Sequence, residues 1–89
     1  MLVALIAKDK PGALQIRKDT REEHLAYIKA TGVVSQAGPL LDDAGEMAGS
    51  LVVLDVADMD AAQGWAENDP YAKAGLFESV ELAAWKKVV

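Results

Sequence analysis

The chain has no cysteine, a single histidine and few aromatic side chains. Without thiols, neither a disulfide nor a thiolate-held metal can support the fold, so this 89-residue chain must rely on its core or on self-association. A chain of this length hides only about 60% of the surface its unfolded form exposes, which makes a lone monomer marginal. Basic residues are in the minority: 9 lysines and arginines stand against 14 aspartates and glutamates, a net charge of −5. That balance speaks against nucleic-acid binding, which needs a positive face to displace counterions from phosphates. Long apolar runs are missing too. The stretch Leu2 to Ala7 stops at Lys8-Asp9-Lys10. It is too short for the core of a signal peptide and far below the ~20 residues of a membrane span. The expectation is a cytoplasmic protein with no membrane or nucleic-acid partner, folded as one domain over residues 1–89.

What is present reads as short strands and helices in alternation. Leu2 to Ala7 suits a strand that is apolar on both sides, and Lys8-Asp9-Lys10-Pro11-Gly12 suits a loop. Ala13 to Lys18 fits either a loop or an extra helical turn. Thr20-Arg21-Glu22-Glu23 fits a capping box that opens a helix, which His24, Leu25, Ile28 and Ala30 continue and Gly32 stops. Val33 to Ala37 suggests a second strand broken by Gly38-Pro39, since a strand proline belongs at an edge, an end or a bulge. Asp42-Asp43-Ala44-Gly45 makes a turn, and Gly49-Ser50 opens a third strand, Leu51 to Val56. Asp58 can cap a second helix in which Ala61, Ala62, Trp65 and Ala66 share a face; Asn68-Asp69-Pro70 ends it. After a short turn from Tyr71 to Gly75, Val80 and Leu82 alternate with Ser79 and Glu81 in a last strand closed by Trp85. The order β-α-β-β-α-β predicts an α+β, ferredoxin-like fold, a four-stranded antiparallel sheet with both helices on one face.

The strand pattern implies a partner. In the first strand Leu2, Ala4, Ile6 and Val3, Leu5, Ala7 are apolar on both sides, and the third strand repeats this with Leu51 and Val53 against Val52, Leu54 and Val56. Two helices cover one face, and leaving the other wet would expose a large apolar patch. The expectation is a homodimer through the open sheet face. The opposing reading is a monomer shielded by the segment Lys8 to Asp19.

For chemistry, the lone His24 and Asp69 before Pro70 stand out. With the helix beginning at Thr20, the start of the first helix and the end of the second can meet, so that the carboxylate orients the imidazole as a proton acceptor. The bland alternatives are a surface histidine and a turn-forming aspartate. Ser50 has no histidine near it in sequence and is better read as a hydrogen-bond donor at a pocket wall than as a nucleophile. Gly38 and Gly49 suit places where backbone passes close to a neighbouring chain or a ligand. Tyr71 and Trp65 fit the core at least as well as a ligand platform. Arg17 and Arg21, near the expected helix start, suit the steering of an anion or a solvated face. No ligand spacing for a metal and no glycine-rich phosphate loop is present.

Several of these residues recur together in a known pattern. Arg17 with Arg21-x-x-His24-Leu25, then Ala37-Gly38-Pro39, Gly49-Ser50, Asp69-Pro70-Tyr71, Ala74-Gly75 and the closing Trp85-Lys86-Lys87-Val88 resemble the YciI-like (YCII-related) family along essentially the whole chain. The stretch Leu41 to Ala48 is shorter than in many relatives. The resemblance implies a ferredoxin-like subunit of a dimeric α/β barrel, with an active site formed by a histidine and an aspartate that fall on His24 and Asp69. Similar proteins include small lyases that eliminate HCl from chlorinated ring intermediates of aromatic degradation, and they are akin to muconolactone isomerases. Two functions follow as expectations. One is a cofactor-independent enzyme of proton abstraction on a quinol or lactone, with Arg17, Arg21, Ser50, Gly38, Pro39 and Tyr71 around the substrate. The other is a non-catalytic small-ligand module in which the His24–Asp69 pair is only structural.

Overall fold

A computed structural model describes residues 1–89. The elements run β1 (Leu2–Asp9), α1 (Leu14–Thr31), β2 (Val34–Leu41), β3 (Met47–Asp55), α2 (Met59–Asn68), α3 (Pro70–Lys73) and β4 (Phe77–Trp85). The strands form one antiparallel sheet in the order β2-β3-β1-β4. This is the ferredoxin-like α+β arrangement expected from the strand and helix pattern, with α3 as an added turn.

Alternation along the central strands separates the two faces. Val3, Leu5 and Ala7 of β1 lie with Val52 and Leu54 of β3 beneath Ala62 and Trp65 of α2, all buried. On the other side Ile6 remains 36% and Leu51 40% exposed. The segment Lys8 to Asp19 does not shield that outer face: its first residues extend β1, and those from Leu14 belong to α1 on the helix side.

Two local expectations are corrected. Helix α1 begins at Leu14, six residues before Thr20, and Ala13 holds the N-cap position without a side-chain cap bond. The Thr20–Glu23 capping box is therefore not formed, and Ala13 to Lys18 resolves as the end of the turn and the first helical turns. The cause is tertiary. Ala13 is buried against Tyr71 and Leu76, and Arg17 is anchored to Asp9 of β1, so the chain is drawn into helix early. Strand β2 also runs straight through Gly38-Pro39 instead of breaking there. It pairs only with β3, and an edge strand can accommodate a residue without a backbone N–H.

The connection between helices sets the geometry of the site. Tyr27 of α1 donates its hydroxyl to the Trp65 carbonyl at 2.8 Å. Trp65 Nε1 donates to Thr31 Oγ1 at 3.0 Å, and the two rings pack at 4.9 Å. Asp58 caps α2 as expected, accepting from the Ala61 amide at 2.8 Å. Gly49 was expected where backbone passes close to a neighbouring chain or a ligand. What comes close is the protein's own β1: a Cβ at Gly49 would run into the Ala7 carbonyl oxygen and the Leu40 side chain.

Candidate active site

Helix α1 turns two polar residues, Arg17 and His24, inward. Arg17, Arg21, His24 and Ile28 follow the three- and four-residue spacing that keeps side chains on one helical stripe, and the fully buried members of the helix are Arg17 and His24. A buried polar stripe has to be matched by partners, and it is. No buried side-chain nitrogen or oxygen lacks a hydrogen bond.

His24 meets Asp69 at the far end of α2. The two are 2.7 Å apart, Nδ1 to Oδ1, with side chains 8% and 1% exposed. The pair forms where expected but not by the expected route. His24 lies ten residues beyond Leu14, in the body of α1, so the positive end of the helix dipole, confined to the first turn, does not reach it. Asp69 is held by three local effects. It precedes Pro70 and takes the extended backbone that such a position favours (φ −61°, ψ 127°). It ends α2, and it caps α3 by accepting from the Tyr71 amide at 3.0 Å through the same Oδ1.

Tyr71 is stacked on the imidazole, with ring centroids 3.9 Å apart and planes 16° from parallel. The Arg17 guanidinium also lies over the Tyr71 ring, 4.7 Å from its centroid. Tyr71 is thus both core and site wall. Burial pushes its phenol above the ordinary value of 10.0, against the opposing pull of Arg17 and Arg21, so it stays protonated at neutral pH.

Of the two expectations for Arg17, a solvated face is excluded by its burial, and it is not a free cation for steering an anion. Its Nε and Nη2 donate to the two carboxylate oxygens of Asp9 at 2.8 Å each, and Nη2 also donates to Ser50 Oγ at 2.9 Å. Burial works against the guanidinium charge, but hydrogen bonding and attraction to Asp9 outweigh it and raise its pKa. Asp9 is the one polar residue of the site that sequence reasoning missed. Between two lysines it reads as a solvated loop residue, and only the burial of Arg17 calls for it. Arg21 is exposed and has no carboxylate partner.

A cavity of about 150 Å³ brings the candidates together. Helix α1 lines it with Arg17, Arg21, His24, Leu25 and Ile28, β2 with Ala37, Gly38 and Pro39, and β3 with Met47, Ser50 and Val52, while Tyr71 completes the wall. Asp69 stands behind His24, outside the lining. All the side chains expected around a substrate therefore border one space, roughly the size that holds a single benzene ring in other proteins. When Nδ1 of a neutral imidazole donates to such a carboxylate, the lone pair is left on Nε2. Nε2 has no protein partner and is not fully enclosed, and His24 is part of the cavity wall. No group of three His, Cys, Asp or Glu side chains is placed to hold a metal. No helix is long and apolar enough to cross a membrane.

Comparison with known proteins agrees along the full chain. The YCII-related domain model matches residues 1–86. Protein YciI of Escherichia coli O6:H1 is 36% identical over 97 aligned residues, covering 99% of each chain. Among solved structures, 5-chloro-2-hydroxyhydroquinone dehydrochlorinase (TftG) from Burkholderia phenoliruptrix AC1100, in complex with 2,5-dihydroxybenzoquinone, superposes with a TM-score of 0.87. It is 36% identical, and the match covers 97% of this chain and 94% of that one. An antibiotic biosynthesis monooxygenase shares the fold alone, with a TM-score of 0.61 at 12% identity over 100% of both chains. With a family model spanning all but the last residues and relatives alike from end to end, the chain belongs to the YCII-related family.

Proposed function

We propose that this protein is a cofactor-independent lyase in which His24 abstracts a proton from a small hydroxylated ring and chloride departs. The observation that carries the reading is an imidazole fixed by a buried carboxylate at 2.7 Å on the wall of a ring-sized cavity. In the keto tautomer of the quinol the chlorinated carbon has gained a proton and is tetrahedral; a remaining hydroxyl proton goes to Nε2, the O–H pair forms the second carbonyl as the ring double bonds shift, and the C–Cl pair leaves with chloride. The sum is loss of HCl, with no oxidant or reductant. Arg21, the unpaired cation at the cavity, and the Ser50 hydroxyl stabilise the oxygen on which negative charge develops. Likeness to a dehydrochlorinase at 36% identity supports a chlorinated quinol as the substrate and a place in aromatic degradation.

The test is to incubate the protein with 5-chloro-2-hydroxyhydroquinone while following chloride release and ultraviolet absorbance. The expected outcome is turnover that His24→Ala lowers by about 10²–10⁴-fold, the contribution of a positioned base, with thermal unfolding still cooperative. Full activity in that variant would remove His24 from the mechanism. A rate that rises with pH through one ionisation supports catalysis. A pH effect confined to stability would favour the binding module instead.

The working unit in this proposal is a homodimer. Ile6 and Leu51, exposed on the outer sheet face, sit beside each other in the β1–β3 register. Each such side chain contributes roughly 1.5–3 kcal/mol when buried, and a second copy of the same face is the simplest cover.

A further inference from the structure

We propose that Asp9 is a positioning residue for ring ligands: by gripping Arg17 it turns the hydroxyl proton of Ser50 into the cavity. Ser50 then acts as a hydrogen-bond donor to a ligand oxygen. This deepens the ring-binding reading above and rests on it.

A serine hydroxyl has one proton and two lone pairs, whereas a guanidinium can only donate. Arg17 Nη2 sits 2.9 Å from Ser50 Oγ, so one lone pair is taken and the proton must point away from Arg17. No protein acceptor takes that proton; the contact to Arg17 is the hydroxyl's only hydrogen bond. Ser50 is 3% exposed and borders the cavity, so the cavity is the direction left to it. The neighbouring β2 residue opposite Ser50 is Pro39, whose side chain offers no competing polar group.

The direction holds only while the guanidinium stays where it is. Asp9 fixes it with two parallel bonds, to Nε and to Nη2, a geometry that sets the plane of the group as well as its position. Asp9 also meets the charge of Arg17, so an incoming anion is attracted to Arg21 and not to the wall that carries Ser50. Asp9 touches no ligand in this arrangement and acts through Arg17 alone.

The experiment is a titration of 2,5-dihydroxybenzoquinone, followed by absorbance, against the wild-type chain, Ser50→Ala, Asp9→Asn and the paired variant Asp9→Leu/Arg17→Met. Asp9→Asn leaves a buried guanidinium without its counter-charge and is at risk of unfolding; the paired variant removes both charges and avoids that. Each folded variant is expected to bind about tenfold more weakly, the worth of one good hydrogen bond. Ser50→Ala added to the paired variant should cost less than about twofold more, because the serine proton is already undirected. Unchanged affinity in Ser50→Ala or in the paired variant, or losses that multiply between them, would overturn the assignment and leave the proposed function standing. Absence of binding by the wild-type chain would overturn both.

Discussion

Asp69 Oδ1 accepts two bonds at once, from the His24 ring and from the Tyr71 amide, so its charge and its shape can be separated by substitution. Asparagine is as good a helix cap as aspartate, and Asp69→Asn should leave the melting temperature within a few degrees. With its carbonyl oxygen kept in the Oδ1 position, asparagine still accepts from the Tyr71 amide and from the ring, but it removes the negative charge that would stabilise the imidazolium formed when His24 takes up a proton. Turnover should fall by about a hundredfold or more; equal rates would show that the pair serves structure alone. Tyr71 gives a pH signature. Its folded pKa is raised by burial, so the folded state holds the phenolic proton more tightly than the unfolded chain does. The resulting stability is complete below the unfolded tyrosine value of 10.0 and is lost as pH rises from there through the raised folded value. Tyr27 is raised by burial as well. Tyr71→Phe should therefore flatten the alkaline fall in melting temperature without abolishing it, and an unaltered alkaline limb would count against this linkage.

Helix α1 shows how an element can differ from its local signal. Thr20-Arg21-Glu22-Glu23 has the spacing of a capping box, yet it lies inside a helix running from Leu14 to Thr31. Thr20→Ala should accordingly change stability by no more than about 0.5 kcal/mol, whereas loss of a true cap costs about 1 kcal/mol; chemical denaturation distinguishes the two. Gly49→Ala should destabilise by about 1–3 kcal/mol, because the added methyl meets the Ala7 carbonyl of β1. The β1, β3 and β4 strands, the Asp58 cap and the end of α2 at Asp69-Pro70 were legible because each is written in contiguous residues, whereas β2 continues past the break expected at Gly38-Pro39. The His24–Asp69 pair was legible through Arg-x-x-His-Leu and Asp-Pro-Tyr taken together. The helix start and Asp9 were not. Both depend on a contact between β1 and α1, across the turn at Lys10 to Ala13, and a lysine-flanked aspartate carries no local mark of burial.

At the scale of the whole molecule, the sheet has one face covered by helices and one face left open. Ile6 and Leu51 are adjacent on the open side, and Ile6→Lys is expected to give a 9.5 kDa species in sedimentation, whereas the proposed wild-type dimer would run at twice that mass. A wild-type chain that sediments as a monomer would remove the dimer from the proposal. The packed side holds a different lesson. Helix α1 buries no apolar side chain fully; Tyr27 and Ile28 pack at the core, Arg17 anchors it to the sheet at Asp9, and His24 ties it to Asp69 between α2 and α3. Even without the proposed reaction, those four polar side chains would help to seat the helix. Their survival in a distant descendant would therefore attest an intact scaffold first and turnover only second.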